Sequence, residues 1–194
     1  INSSLGYFVF LDSLSNHTYA DMDGKTTRVT RAANVAFSRG MLVFCSAGNE
    51  GNNSWKYIIA PADGDNVIAV GAVNKFGFAS DFSSYGPASD GDIKPNLAAV
   101  GWNTYLQKSN GTLGYGSGTS YASPVLAGMA ACLWQANPNA TAADMKLALE
   151  RSGHLYDIPD SLLGFGVPDM KIAHLILNPD GTDIIQNQSS WKVY

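Results

Sequence analysis

The chain has 194 residues, enough for one domain with a core or a large piece of a bigger one. Hydrophobic residues make up 45% and charged residues only 14%, against about 25% charged in an ordinary soluble domain, so much interior and a sparsely charged surface are expected. A net charge of −4 with no basic run argues against nucleic acid as a partner, and no apolar stretch approaches the ~20 residues of a membrane span.

Ile1–Leu5 reads as a short strand, with Gly6–Phe10 continuing extended. The opening residues have the character of mid-domain sequence, which predicts a fragment or a processed product. Asp12–Gly24 is polar and is expected to be a surface loop; its scattered carboxylates lack the spacing of a calcium loop, so no metal is assigned. Thr26–Arg39 carries Val29, Ala32, Ala33, Ala36 and Phe37 at helical spacing and ends at Gly40, a helix stop. Met41–Cys45 and Val67–Val73 are continuous apolar runs, typical of strands buried on both faces. Phe76–Gly91 is turn-rich, and Ile93–Val100 approaches a further strand through Pro95.

Gly116–Trp134, "GSGTSYASPVLAGMAACLW", passes from a glycine-rich turn into an apolar segment of small residues. A helix over Thr119–Ala136 is predicted, slim enough to run through a packed core, with Pro124 tolerated in its first turn. Thr141 and Asp144 form a capping-box pattern for a second helix through Arg151, and Asp169–Leu177 is read as a third. Pro179 to Tyr194 has the composition of a tail or linker toward a further C-terminal module, which leaves 1–178 as the structured unit. Cys45 and Cys132 sit in apolar surroundings and are read as two free, buried thiols. Strand–helix alternation with continuous apolar strands predicts an α/β fold with a parallel sheet between helix layers.

The chemistry gathers at Ser120. A helix N-terminus presents unpaired N–H groups and a partial positive charge, which stabilise an alkoxide or a nearby oxyanion. Gly116 and Gly118 allow tight turns and close approach of another molecule. Serine is also common in a first helical turn, so spacing alone supports no more than a cap.

The segment Gly118-Thr119-Ser120-Tyr121-Ala122-Ser123-Pro124 resembles the nucleophile motif G-T-S-x-A-x-P of the subtilisin-like serine proteases, the subtilases. Ser46-Ala47-Gly48-Asn49-Glu50-Gly51 resembles the segment in which that family places an asparagine opposite the oxyanion. Ile1-Asn2-Ser3-Ser4-Leu5-Gly6, the run Asn66–Val73, Phe82–Pro87 with Ile93–Leu97, and Gly164–Asp169 resemble further family segments, in order, over residues 1–177. The resemblance implies a three-layer subtilisin-like fold, present as part of a domain. It implies a serine endopeptidase with Ser120 as nucleophile and Asn49 in the oxyanion hole. It places Ser4, Leu5, Gly6, Ala47 and Gly48 against a polypeptide substrate, requires no cofactor, and implies a secreted, periplasmic or cell-surface location.

The family works in the chain order Asp, His, Ser, with the Asp and His motifs upstream of the strand that opens this sequence. His17, His154 and His174 match neither motif. The resemblance therefore implies a base and its orienting carboxylate upstream, in the N-terminal part of the same catalytic domain, which becomes this chain's partner. Two alternatives stay open on sequence. Gly118–Ala122 is one residue from an esterase elbow, with Asp160 or Asp169 and His174 following in the order such enzymes use. A catalytically inactive binding module is the other.

Overall fold

A computed structural model describes residues 1–179. Strands β1 (Asn2–Ser3), β2 (Phe44–Ser46), β3 (Ile68–Val73) and β4 (Leu97–Val100) form one all-parallel sheet in that order. Ser3 pairs with Cys45, Cys45 with Ala69, and Val70 with Leu97. Every residue of β2 and β3 is buried, as their continuous apolar composition requires when both sheet faces are covered.

Helix α1 (Arg28–Ser38) covers one face, where Val29, Ala33 and Ala36 pack on Val43, Cys45, Val67 and Ala69. Helices α2 (Thr119–Ala136), α3 (Ala142–Arg151) and α4 (Met170–Leu177) cover the other, where Leu126, Ala130, Met145 and Leu149 meet Phe44, Ile68, Val70 and Leu97. Alternate strand residues feed the two cores, so the fold is the expected three-layer α/β arrangement. The caps agree with the residues read from sequence. Thr141 and Asp144 bond reciprocally at the start of α3, and the Asp169 carboxylate accepts from the Lys171 and Ile172 amides at the start of α4. Among the described residues no helix is long and apolar enough to cross a membrane.

Four expectations need correction. The first strand is only two residues long: the chain leaves β1 at Ser4, whose hydroxyl donates to the Ser120 carbonyl of α2, and beyond it the Tyr7 amide donates to the Ala60 carbonyl at 2.9 Å. Asp12–Gly24 is not merely a surface loop: it holds two 3₁₀ turns, and Met22 is fully buried in the α1-side core. Helix α2 is buried at Thr119, Ala122, Ser123, Leu126, Ala130 and Leu133, while Val125, Met129 and Cys132, on another face at i, i+4 and i+7, are exposed. Cys132 is thus a surface thiol, whereas Cys45 is buried and its thiol is pushed up to about 12 by that burial. The fourth concerns Thr104–Gly116, for which the sequence reading assigned no element: it forms an antiparallel hairpin, β5 (Thr104–Gln107) with β6 (Leu113–Gly116). Its signal was the Asn110-Gly111 turn pair flanked by alternating residues. From residue 180 on, the expected tail lies outside the described residues.

One polar network crosses the sheet's interior. Lys94 is 1% exposed, and its ammonium donates to the Gly64 carbonyl at 2.6 Å, the Val67 carbonyl at 3.1 Å and Asn96 Oδ1 at 3.1 Å. Asn96 in turn donates to Glu150 Oε1 at 2.9 Å. Burial, with the nearby Lys146 charge, holds the Lys94 ammonium down to about 8 despite the carboxylates of Asp92, Asp63 and Glu150.

Candidate active site

Parallel strands bring their carboxyl ends to one edge, and the loops that leave them are where α/β proteins place ligands. Here β1 runs into Ser4–Gly6 and β2 into Ala47–Asn49, and the N-terminus of α2 points Ser120 between them. Two contacts fix Ser120 against the first loop. The Ser4 hydroxyl donates to the Ser120 carbonyl at 2.9 Å, and the Ser120 hydroxyl donates weakly to the Ser4 carbonyl at 3.4 Å. One turn on, the Ser123 hydroxyl donates to Asn2 Oδ1 at 2.7 Å and ties α2 to β1.

Thr119 fixes Ser120 against the second loop. Its amide donates to Asn49 Oδ1 at 2.9 Å and its hydroxyl donates to the same oxygen at 3.0 Å. An amide donor can only face an oxygen, so these bonds decide which way the Asn49 side chain is turned. They leave Asn49 Nδ2 with both protons free; no acceptor bonds it among the described residues, and it lies on the side of Gly118, two residues before Ser120. The Ser120 amide is likewise one of the unpaired donors of a first helical turn. The Asn49 Nδ2 and the Ser120 amide thus lack protein acceptors, and the Ser120 hydroxyl has only its long bond to the Ser4 carbonyl; donors left free in this way are what a developing oxyanion requires. Thr119 is the member that sequence reading missed as a separate role; its signal was its place inside the Gly-Thr-Ser run.

The residues expected from the resemblance to face substrate also come together. Ala47 is buried beneath the loop, Gly48 adopts φ +115°, and Leu5 is 61% exposed. An added Cβ at Gly6 would lie 2.1 Å from Ile59 Cδ1, and one at Gly48 2.6 Å from Ser84 Oγ and 3.1 Å from Ile59 Cδ1, so the glycines let Ile59 and Ser84 close against the two loops. The Ile59 amide donates to the Ala47 carbonyl at 3.1 Å, which holds Ile59 in place. The Leu5 and Gly6 amides have no protein acceptor among the described residues, leaving a short free edge that an extended peptide could pair with.

No histidine hydrogen-bonds to Ser120. His17 packs edge-on to Phe10, and His154 Nδ1 accepts from the Val167 amide at 2.9 Å. His174 sits beside Asn178, which hydrogen-bonds Asn137, the C-cap of α2. Eighteen helical residues span about 27 Å, so His174 and Ser120 occupy opposite ends of α2. Asp169 caps α4, and Asp160 Oδ1 accepts from the Leu162 and Leu163 amides. The esterase alternative built on Ser120, His174 and either aspartate is thereby overturned. Asp65, Asp90 and Asp92 bring exposed carboxylate oxygens within 4.8 Å of one another, but exposed acidic groups are common without an ion and nothing links this cluster to Ser120.

Comparison with known proteins finds likenesses to serine proteases. The family model described as the subtilase family matches residues 1–166. The chain is 38% identical over 111 residues to a thermophilic serine proteinase of Bacillus sp. (strain AK1), covering 57% of this chain and 25% of the relative. It is 35% identical over 143 residues to the serine protease AprX of Bacillus subtilis (strain 168), covering 63% of this chain and 32% of the relative. The chain thus spans about a quarter to a third of these relatives' length. Among solved structures, the prenylagaramide maturation protease PagA matches with a TM-score of 0.71 at 25% identity, over 93% of this chain and 62% of that one.

Proposed function

The chain belongs to the subtilase family, and on that premise we propose that it carries the nucleophile and oxyanion half of a serine endopeptidase site. Ser120 Oγ attacks the scissile carbonyl of a polypeptide. Its proton passes to an imidazole supplied by the N-terminal part of the same catalytic domain, where an aspartate orients it. The tetrahedral oxyanion takes hydrogen bonds from Asn49 Nδ2 and the Ser120 amide. Collapse expels the amine, which leaves with the proton, and water then releases the acyl group from Ser120. Ser4–Gly6 pairs with the substrate backbone on one side, over the floor built by Ala47 and Gly48.

The observation that supports this reading is the pinning of Asn49 Oδ1 by Thr119, which leaves Asn49 Nδ2 without a protein acceptor on the Gly118 side. The exposed face of Val125, Met129 and Cys132 on α2 supports an upstream segment as the partner that completes the site. Family membership supports a location outside the cytoplasm.

A fluorophosphonate probe, read by intact mass, tests the assignment. The 194-residue chain is expected to label no faster than its Ser120→Ala variant, because no base reaches Ser120. A chain extended upstream through the Asp and His motifs is expected to label once, at Ser120. Rapid labelling of the short chain, or none of the extended one, would refute it.

A further inference from the structure

The loops along the sheet's carboxyl edge follow the strand order β1-β2-β3-β4. Ser4–Gly6 follow β1, Ala47–Asn49 follow β2, Asn74–Phe76 follow β3, and Gly101–Asn103 follow β4. Ser120 touches the β1 loop through Ser4, and Thr119 touches the β2 loop. On the other side, the Gly118 amide donates to the Gly101 carbonyl at 2.8 Å. A peptide that pairs with Ser4–Gly6 and crosses Ser120 must therefore leave over the loops that follow β3 and β4.

A cavity of about 480 Å³ lies there, walled by Asn74, Lys75, Phe76, Trp102, Asn103 and Tyr115. Its walls are tied to the turn that leads into the nucleophile's helix and to the end of β3. The Asn103 amide, on a residue at φ +54°, donates to Ser117 Oγ at 3.0 Å, and the Trp102 amide donates to the Val73 carbonyl at 3.2 Å. Asn74 Oδ1 gathers the Phe76 and Phe78 amides at 2.8 and 3.2 Å, which sets the turn that presents Phe76. Tyr115 is braced across the hairpin by Tyr105, with ring centroids 5.3 Å apart. The mechanism uses none of these six wall residues.

We propose that this cavity is a distal subsite on the leaving-group side of Ser120 that takes an aromatic side chain of the polypeptide. The inference rests on the endopeptidase reading above. Three aromatic walls offer ring edges and faces to a further ring, and the volume admits one such side chain. Lys75 Nζ already stands 4.9 Å from the Phe76 ring centroid, so an arginine or lysine side chain would meet a like charge where it would otherwise find a π face.

The test is peptide binding to the 194-residue chain, which needs no base. Decapeptides of Ala, Ser and Gly carry Phe, Ala or Arg at each position of their C-terminal half in turn. Backbone-amide and indole NMR shifts report where each binds. At one position Phe is expected to bind about tenfold more tightly than Ala, consistent with partial burial of a ring, and Arg more weakly than Ala. Shifts should then appear at Asn49 and at the Trp102 indole together. Phe76→Ala, a change at an exposed side chain, should remove the preference for Phe, and Lys75→Glu should reverse the discrimination against Arg. Shifts at Gly6 and Asn49 with equal affinity for Phe and Ala peptides would overturn the subsite and leave the endopeptidase reading standing. Shifts at Trp102 with none at Gly6 or Asn49 would overturn it as part of the substrate path. An absence of shifts at every site would overturn both.

Discussion

Replacing Lys94 by Met separates what a buried charge contributes from what it costs. Met keeps most of the apolar stem, so little cavity opens. Three acceptors lose the ammonium. The Gly64 carbonyl still accepts from the Val67 amide and Asn96 Oδ1 from the Ala69 amide, but the Val67 carbonyl loses the one donor found for it outside the strand ladder. An orphaned buried carbonyl costs about 1–3 kcal/mol, and the two weakened acceptors together add about 1 kcal/mol. Against this, the variant escapes burying a charge. Unfolded, the lysine amine holds its proton to about pH 10.4. Folded, it holds it only to about 8. Between those values the unfolded chain binds more protons, so wild-type stability rises with pH across that window. At pH 7 the charge's burial cost offsets much of the lost bonding, and the expected penalty of Lys94→Met is about 1–2 kcal/mol. By pH 10 the wild type has shed the proton, and the penalty grows to about 3–4 kcal/mol. Urea unfolding of both chains at pH 7, 8.5 and 10 measures the difference, in which shared titrations such as those of Tyr19 and Cys45 cancel. A penalty that stays flat or shrinks with rising pH would refute the reasoning.

In the upstream-extended enzyme, Asn49→Leu should lower turnover with little change in KM, by roughly 10²–10³, the magnitude known for the oxyanion asparagine of subtilisin itself, a relative; an equal fall from raised KM alone would contradict the role. Gly164→Ala should destabilise by more than about 3 kcal/mol in thermal unfolding, since a Cβ would meet the Pro95 carbonyl oxygen at 1.8 Å at φ +59°. Gly111→Ala, at φ +82° with open space around it, should cost only about 1 kcal/mol. Thiol titration with a maleimide should count one reactive cysteine in the native chain, Cys132, and two in denaturant, because Cys45 is buried with its thiol pushed up to about 12.

Much of the layer architecture could be read from local pattern. The apolar run Val67–Val73 can be satisfied only where both faces are covered, and β3 is buried throughout. The helix over Thr119–Ala136 and the Thr141–Asp144 box needed only backbone propensity and short-range bonds, which act within a few residues. The position of Ser120 at a helix mouth and the glycines around it were equally local. What was not legible depended on partners far apart in sequence. Whether Cys132 is buried depends on what packs beside α2, and the periodicity of an all-apolar helix does not say which face is covered. Met22 fell in a polar stretch, and only the α1-side core gave it a place. The direction in which Asn49 turns is settled by Thr119, 70 residues away, and the exclusion of His174 by the length of α2. Sequence by itself determined the elements and the chemistry each could carry, because propensity and capping are short-range. Only the tertiary structure decided which hydroxyl, amide and ring share one edge of the sheet, because that follows from strand order and packing across the whole chain.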